Sequence, residues 1–260
     1  MSSKATLADK TIIVTRPLAQ AQHMLESLEV NLARTVHFPV IRISATKNLD
    51  ATKKQLSALA SYQMVIFISA NAVHYAMKAA EALDITFDNV ALAAIGPATN
   101  AALESYDYQT SIVPRSGFTS EALLNEPALQ DLTQQNILIV RGEGGREHLR
   151  QTLAARDAKV DYAEVYQRQL PTTRNPVELN LLSPEKTAIL LYSVESAQNL
   201  WSLCNPNEQQ WLTTVTFIVG SVRISDAVTK LGIAKESIIA ENPSDEAMQA
   251  AIHHWASQAS

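Results

Sequence analysis

Apolar residues in this chain fall into short runs separated by longer amphipathic stretches. Ile12-Ile13-Val14 has the length and branching of a buried strand, and residues 18–29 (LAQAQHMLESLE) carry helical spacing. The alternation of FPVIRI, Phe38 to Ile43, predicts a further strand. Residues 51–60 read as helix, Met64 to Ile68 as strand, 70–83 as helix and Val90 to Ile95 as strand. Residues 97–105 read as helix, Ser111 to Val113 as a short strand, and 119–125 as the opening of another helix. Strands alternating with helices predict βαβ units and a parallel sheet. Continuously apolar strands predict a sheet covered on both faces.

The order begins again at Ile137, and the two passes correspond segment by segment about 125 residues apart. IIVTRP (Ile12–Pro17) matches ILIVRG (Ile137–Gly142), and QHMLESL (Gln22–Leu28) matches EHLRQTL (Glu147–Leu153). FPVIRI matches AEVYQR (Ala163–Arg168), and IFISANAV (Ile66–Val73) matches LLYSVESA (Leu190–Ala197). AAIGPATNAAL (Ala93–Leu103) matches FIVGSVRISDAV (Phe217–Val228), and PRSGFTSEAL (Pro114–Leu123) matches ENPSDEAM (Glu241–Met248). The chain is thus a duplication, and its pattern alone divides it in tandem near residue 130.

Composition narrows the function classes. With 260 residues and 47% hydrophobic content, each half can bury its own core. The net charge of −5 disfavours generic nucleic-acid binding, and 6% aromatic content offers little base stacking. An anionic ligand would need a local site. The single cysteine, Cys204 in the apolar LWSLC, excludes an intrachain disulfide and reads as a buried, inert thiol. The polar start MSSKATLADK lacks an apolar signal region, and no apolar run approaches the ~20 residues of a membrane span. The cytoplasm is therefore the expected location.

Each copy places small or polar residues where a strand ends and a helix begins: Arg16, Ser69 with Asn71, Gly96 with Thr99, and Ser120 in the first; Arg141 with Gly142, Ser193, Gly220 with Ser221, and Ser244 in the second. In an open parallel sheet these turns line the carboxyl edge, where ligands bind. Helix N-termini there present free N–H groups to carboxylates or phosphates. The same serines and threonines serve equally as helix caps, and Pro97 suits a first helical position. The run Arg141-Gly142-Glu143-Gly144-Gly145-Arg146 invites a dinucleotide reading, but Glu147 stands where the third glycine belongs, and no Lys-Ser/Thr follows. What remains is a glycine turn flanked by two arginines, either approaching an anion or simply packing tightly. No pair of the six histidines has metal-ligand spacing, and no G-x-S-x-G elbow occurs. An enzyme built this way works through few side chains and many backbone donors.

Taken in order, VTRP (Val14–Pro17), SANAV (Ser69–Val73), AIGPAT (Ala94–Thr99), SEALL (Ser120–Leu124), LIVRGEGGRE (Leu138–Glu147) and VYQR (Val165–Arg168) resemble the uroporphyrinogen-III synthase family over nearly the whole chain. RGEGGRE, followed by a helix, a strand and VYQR, resembles its gammaproteobacterial branch. The resemblance implies two α/β domains with parallel three-layer sheets, joined by a two-stranded linker with a cleft between them. It groups residues 1–37 with 171–260, makes 44–162 the second domain, and makes 38–43 and 163–170 the linker strands. It implies cyclisation of hydroxymethylbilane, a linear tetrapyrrole with eight carboxylate arms, to uroporphyrinogen III, with loss of water and inversion of the last pyrrole ring. It further implies no metal or organic cofactor, a monomer, and transient contact with hydroxymethylbilane synthase.

By the same resemblance, Tyr166 stands at the family's linker tyrosine and is the candidate catalytic residue; a phenol ionises near about pH 10 and so donates a proton at neutral pH. The substrate-binding candidates are Arg16, Ser69, Asn71, Gly96, Thr99, Arg141, Gly142, Gly144, Gly145, Ser193, Gly220 and Ser221. Two positions depart from the pattern: Arg223 replaces a threonine, leaving Ser221 as the nearby hydroxyl, and Glu195 places an acid beside a carboxylate site. The alternative is a non-catalytic two-lobe binding protein for a polycarboxylate; a nucleotide-dependent enzyme fits less well, given the broken glycine pattern.

Overall fold

The computed structural model describes residues 7–145 and 147–258. In chain order the elements are β1 (Thr11–Val14), α1 (Leu18–Val30), β2 (Arg34–His37), β3 (Arg42–Ala45), α2 (Leu49–Ser57), β4 (Met64–Phe67), α3 (Ala70–Glu81), β5 (Ala91–Ala94), α4 (Pro97–Glu104) and α5 (Ser120–Leu124). They continue with β6 (Asn136–Gly142), α6 (His148–Ala155), β7 (Lys159–Gln169), β8 (Thr187–Leu191), α7 (Val194–Leu203), α8 (Pro206–Leu212), β9 (Thr216–Val219), α9 (Val222–Lys230), β10 (Ile238–Ile239) and α10 (Asp245–Gln258). Two compact units result: Met1–Arg42 with Gln169–Ser260, and Ile43–Arg168.

The first unit is a five-stranded sheet in the order β10-β9-β8-β1-β2, parallel throughout its described pairings. Every residue of β1, β8 and β9 is buried. Ile12 and Val14 pack with Met24 and Leu28 of α1 and Met248 and Ile252 of α10. Ile13, pointing to the opposite face, packs with Leu200 of α7, Trp211 of α8 and Ile224 of α9. Period-two alternation between two apolar layers is what the continuously apolar run anticipated. Among the described residues no helix is long and apolar enough to cross a membrane.

The second unit repeats the plan with a sheet ordered β3-β7-β6-β4-β5. Val65 and Phe67 join the layer of α3 and α4, whereas Met64 and Ile66 join Leu123 of α5 and Leu153 of α6. Ile112 adds a single parallel bridge to Ala93 in place of the strand expected at 111–113.

The strand expected over Phe38–Ile43 differs most. Pairing runs earlier, through Arg34–His37, and resumes only at Arg42. Pro39 lacks the N–H that a ladder needs. Phe38 and Val40 are fully buried nonetheless, and their N–H groups donate to Val14 and Thr15 carbonyls. AEVYQR forms the C-terminal part of β7, one eleven-residue strand that starts at Lys159.

Candidate active site

Parallel strands bring their carboxyl ends to one edge, and in the second unit this edge holds a cavity of roughly 330 Å³. Its wall includes Ser69, Arg141, Gly142, Gly144, Gly145 and Tyr166, with Ser120 beside them.

Tyr166 owes its position to a register shift. Arg141 pairs with Glu164 but Gly142 with Tyr166, so Val165 is left over as a bulge. Simple alternation would put Tyr166 on the face of Tyr162; the extra residue turns it to the layer of Ala163 and Val165 instead. The Tyr166 ring stacks on Tyr75 at 5.9 Å between centroids and lies across Gly142. A Cβ at 142 would sit 2.6 Å from Tyr166 Cζ, closer than atoms can approach. Gly142→Ala is therefore expected to displace the ring, cost roughly 1–3 kcal/mol in stability as core overpacking does, and depress activity with it. Denaturant melts beside activity assays check both effects.

The Tyr166 hydroxyl lies 3.2 Å from Ser69 Oγ, which also accepts the Ala72 N–H as the cap of α3. Either hydroxyl can donate in this pair; with Ser69 as the donor, the phenol proton is free to face the cavity.

Arg141 is only 3% exposed. Its Nε donates to Gly142 O, Nη2 to Gly144 O, and Nη1 lies 3.2 Å from Glu147 Oε1. The guanidinium stacks 4.4 Å from the Tyr162 ring centre. Tyr162 in turn donates to Glu147 Oε2 at 2.9 Å, and burial, then that acceptor, push its phenol above the usual range. Arg141 therefore braces the glycine turn more than it reaches outward. Gly144 and Gly145 adopt φ of +70° and +105°, left-handed conformations that favour glycine. The Gly144 N–H, expected to face an anion, donates to Glu164 Oε1 at 3.2 Å. Arg146 lies outside the described residues.

Asn71, Gly96 and Thr99 do not line this cavity. Gly96 caps α4 with Pro97 first in the helix, Asn71 is half-buried in the first turn of α3, and Thr99 is buried in α4. Thr119 rather than Ser120 caps α5.

In the first unit, Arg16 follows β1 with its guanidinium 4.6 Å from the Tyr192 ring centre. Ser193 caps α7, accepting Ser196 N–H at 3.0 Å. Gly220 and Ser221 precede α9; a Cβ at 220 would meet Pro243 at 2.7 Å, so glycine there serves packing. Arg223 is exposed and Glu195 half-buried in the first turn of α7. Ser244 accepts Ala247 N–H at 3.3 Å at the start of α10. Cys204 is buried and its thiol pushed up to about 12, chiefly by desolvation, as an inert thiol should be. Among the described residues no group of three or more His, Cys, Asp or Glu is placed to hold a metal ion.

Against this geometry, the profile of the family described as uroporphyrinogen-III synthase HemD (HEM4) matches residues 22–250. The chain belongs to this family. A relative from Escherichia coli (strain K12), named uroporphyrinogen-III synthase, is 31% identical over 245 residues, covering 93% of this chain and 99% of the relative. One of the same name from Salmonella typhimurium (strain LT2) is 30% identical over 249 residues, covering 93% and 99%. Both fit the gammaproteobacterial branch suggested by RGEGGRE. Among solved structures, uroporphyrinogen-III synthetase from Helicobacter pylori 26695 superposes with a TM-score of 0.61 at 18% identity, covering 93% of this chain and 97% of that one. A mutant uroporphyrinogen III synthase from the extremely thermophilic bacterium Thermus thermophilus gives 0.60 at 18%, covering 96% and 99%. These likenesses carry the α/β fold of two mostly parallel sheets.

Sequence reasoning missed Tyr162 and Arg168, which also line the cavity. Both lie on β7, where side chains alternate between faces; a strand reading begun at Lys159 rather than at Ala163 would have flagged Tyr162.

Proposed function

We propose that this chain is a uroporphyrinogen-III synthase, a hydro-lyase of tetrapyrrole biosynthesis that closes hydroxymethylbilane to uroporphyrinogen III. Family membership supports the reaction class. The observation that carries the mechanism is the Tyr166 phenol, hydrogen-bonded to Ser69 in the wall of the cavity.

The substrate's hydroxymethyl end enters beside Tyr166. At roughly 330 Å³ the cavity accommodates part of a linear tetrapyrrole rather than all of it. The phenol gives its proton to the leaving hydroxyl, water departs, and the carbon left behind becomes part of a delocalised azafulvenium cation. Ser69, donating to the phenolate oxygen, steadies the charge that forms there. The substituted carbon of the last ring attacks the cation to give a spiro centre, whose opening and reclosure inverts that ring. The proton lost when the ring carbon regains aromaticity restores the phenol, so the net change is loss of one water. These steps call on proton transfer and positioning alone.

The carboxylate arms need fixed donors rather than a basic surface. Arg16, Ser193 and Ser221 in the first unit, and Ser69, Asn71, Thr99 and the Gly96 turn in the second, stand at sheet edges and helix starts suited to them. Arg141, Gly142, Gly144 and Gly145 shape the cavity around Tyr166. The chain would act as a cytoplasmic monomer. Because unassisted closure gives the type I isomer, brief contact with hydroxymethylbilane synthase would limit the time the substrate spends free.

The test supplies freshly made hydroxymethylbilane and separates the product isomers. A shift from type I to type III is expected; product that stays type I would overturn the proposal. A binding protein for polycarboxylates would instead retain the ligand without turnover.

A further inference from the structure

We infer that Asp245 is a resident carboxylate on Arg16, exchanged for a substrate carboxylate on binding and restored on product release. This rests on Arg16 being a substrate contact.

Arg16 Nη1 lies 3.4 Å from Asp245 Oδ1, and Nε lies 3.4 Å from Gln20 Oε1. The second Asp245 oxygen is 3.0 Å from His23 Nδ1. The carboxylate is thus divided between two basic side chains and grips neither with both oxygens. An arginine binds a carboxylate best through two parallel N–H···O bonds, so an incoming arm that takes the fork end-on gains a bond that Asp245 does not make. The exchange is sterically open, because the Arg16 and Asp245 side chains are 27% and 17% exposed. The guanidinium is held in place meanwhile, stacked on Tyr192, with the Arg16 carbonyl accepting from His37 Nε2 at 2.9 Å. As the first residue of α10, Asp245 is favoured by the helix dipole while it waits.

The duplication supplies a comparison. Arg141, the counterpart of Arg16, also lies over a tyrosine ring and faces an acid at a helix start, Glu147. There the arginine is 3% exposed and its remaining bonds turn back on its own loop. The tyrosine and the acid come from non-equivalent elements in the two units, but the resulting arrangement around the arginine is closed in one and open in the other.

The open form has a use because cyclisation leaves every carboxylate in place. A site that gripped the substrate through all its arms would grip the product as firmly. A carboxylate already on the protein competes at high effective concentration and lowers affinity for both ligands alike, which eases release.

The experiment compares Asp245→Asn with the wild-type chain. The expected result is a KM for hydroxymethylbilane and an inhibition constant for product each lower by about 1.5- to 5-fold, the range of a partly exposed ion pair, with kcat unchanged or reduced. Acetate is the simple probe. It should raise the melting temperature at lower concentration in Asp245→Asn than in wild type, and the gain should vanish when Arg16 is also replaced by Met. Acetate stabilisation equal in both chains, or a gain that persists without Arg16, would overturn the inference. The acetate arm needs no turnover, so it fails or succeeds separately from the synthase reading, which wild-type product analysis tests. Asp245→Ser, which keeps a helix-starting oxygen without the charge, repeats the comparison if Asn impairs folding.

Discussion

Tyr166→Phe is expected to lower kcat by about 10²-fold, the lower range of general-acid assistance, with KM little changed. The substitution keeps the ring. Its stacking on Tyr75 and its close fit over Gly142 are therefore retained. What is lost is the hydroxyl, with its 3.2 Å bond to Ser69 and, in the proposed mechanism, the proton for the leaving group. Removing that bond costs about 1 kcal/mol of stability, too little to unfold the chain, so a fall in rate with an intact melting curve isolates the chemical role. Ser69→Ala should have a smaller effect, because the phenol proton remains although the partner that positions it is gone. The product should still be type III if folding of the substrate, rather than the acid, controls ring inversion. A Tyr166→Phe chain that turns over at the wild-type rate would remove Tyr166 from the mechanism.

Arg174→Met is expected to destabilise the chain by about 3–5 kcal/mol, the cost of leaving a buried charge without its partner. Glu208 is completely buried. Arg174 donates to its two oxygens at 2.5 and 2.7 Å, and the backbone N–H groups of Asn205 and Leu179 complete the shell at 3.0 and 3.2 Å. Arg174 also binds the Leu203 and Val177 carbonyls, tying the segment after β7 to the end of α7. Burial pushes the Glu208 carboxyl up, but Arg174 and the two N–H groups outweigh it and hold it below the usual range. A carboxyl with a depressed folded-state value contributes stability that is present above its unfolded value, about 4.3, and that is lost as the pH falls through the folded one. The wild-type chain should therefore weaken in acid. In Arg174→Met the carboxyl takes up a proton more readily, so the deficit relative to wild type should narrow as pH falls. Urea melts at pH 7 and pH 4 measure both trends; a deficit under about 1 kcal/mol at pH 7, the value of an exposed pair, would contradict the assignment.

Much of the fold was legible because it depends on local pattern. Ile12 to Val14 and Met64 to Phe67 are short, apolar runs, and each became a strand buried on both faces. The helix from Ala70 and the helix from Pro97 begin at the cap and the proline that the sequence offers. The partnering of strands was not legible from the residues. A repeat about 125 residues long suggests tandem halves, yet β1 pairs with β8, far along the chain, because which edge a strand joins is settled by tertiary packing and not by its own composition. FPVIRI failed as a strand because its alternation obscured the missing N–H of Pro39.

In the candidate site, the sequence singled out Ser69 and Tyr166 separately and the structure brings them to one cavity, but the bulge that aims Tyr166 leaves no mark in a period-two pattern. Arg141 looked like an anion contact for the same reason that it is a good brace: a planar fork beside a glycine turn satisfies carbonyls as readily as carboxylates. Arg174 and Glu208 drew no notice, since an isolated arginine in a polar stretch and a glutamate 34 residues later have no spacing that relates them.

The most direct measurement adds the protein at catalytic, far substoichiometric amounts to fresh hydroxymethylbilane and follows the isomers over time. Type III product accumulating in large excess over protein is the expected result. Type I product forming at the unassisted rate, with at most one equivalent of ligand retained, would contradict the assignment of this chain as the enzyme that closes and inverts the tetrapyrrole.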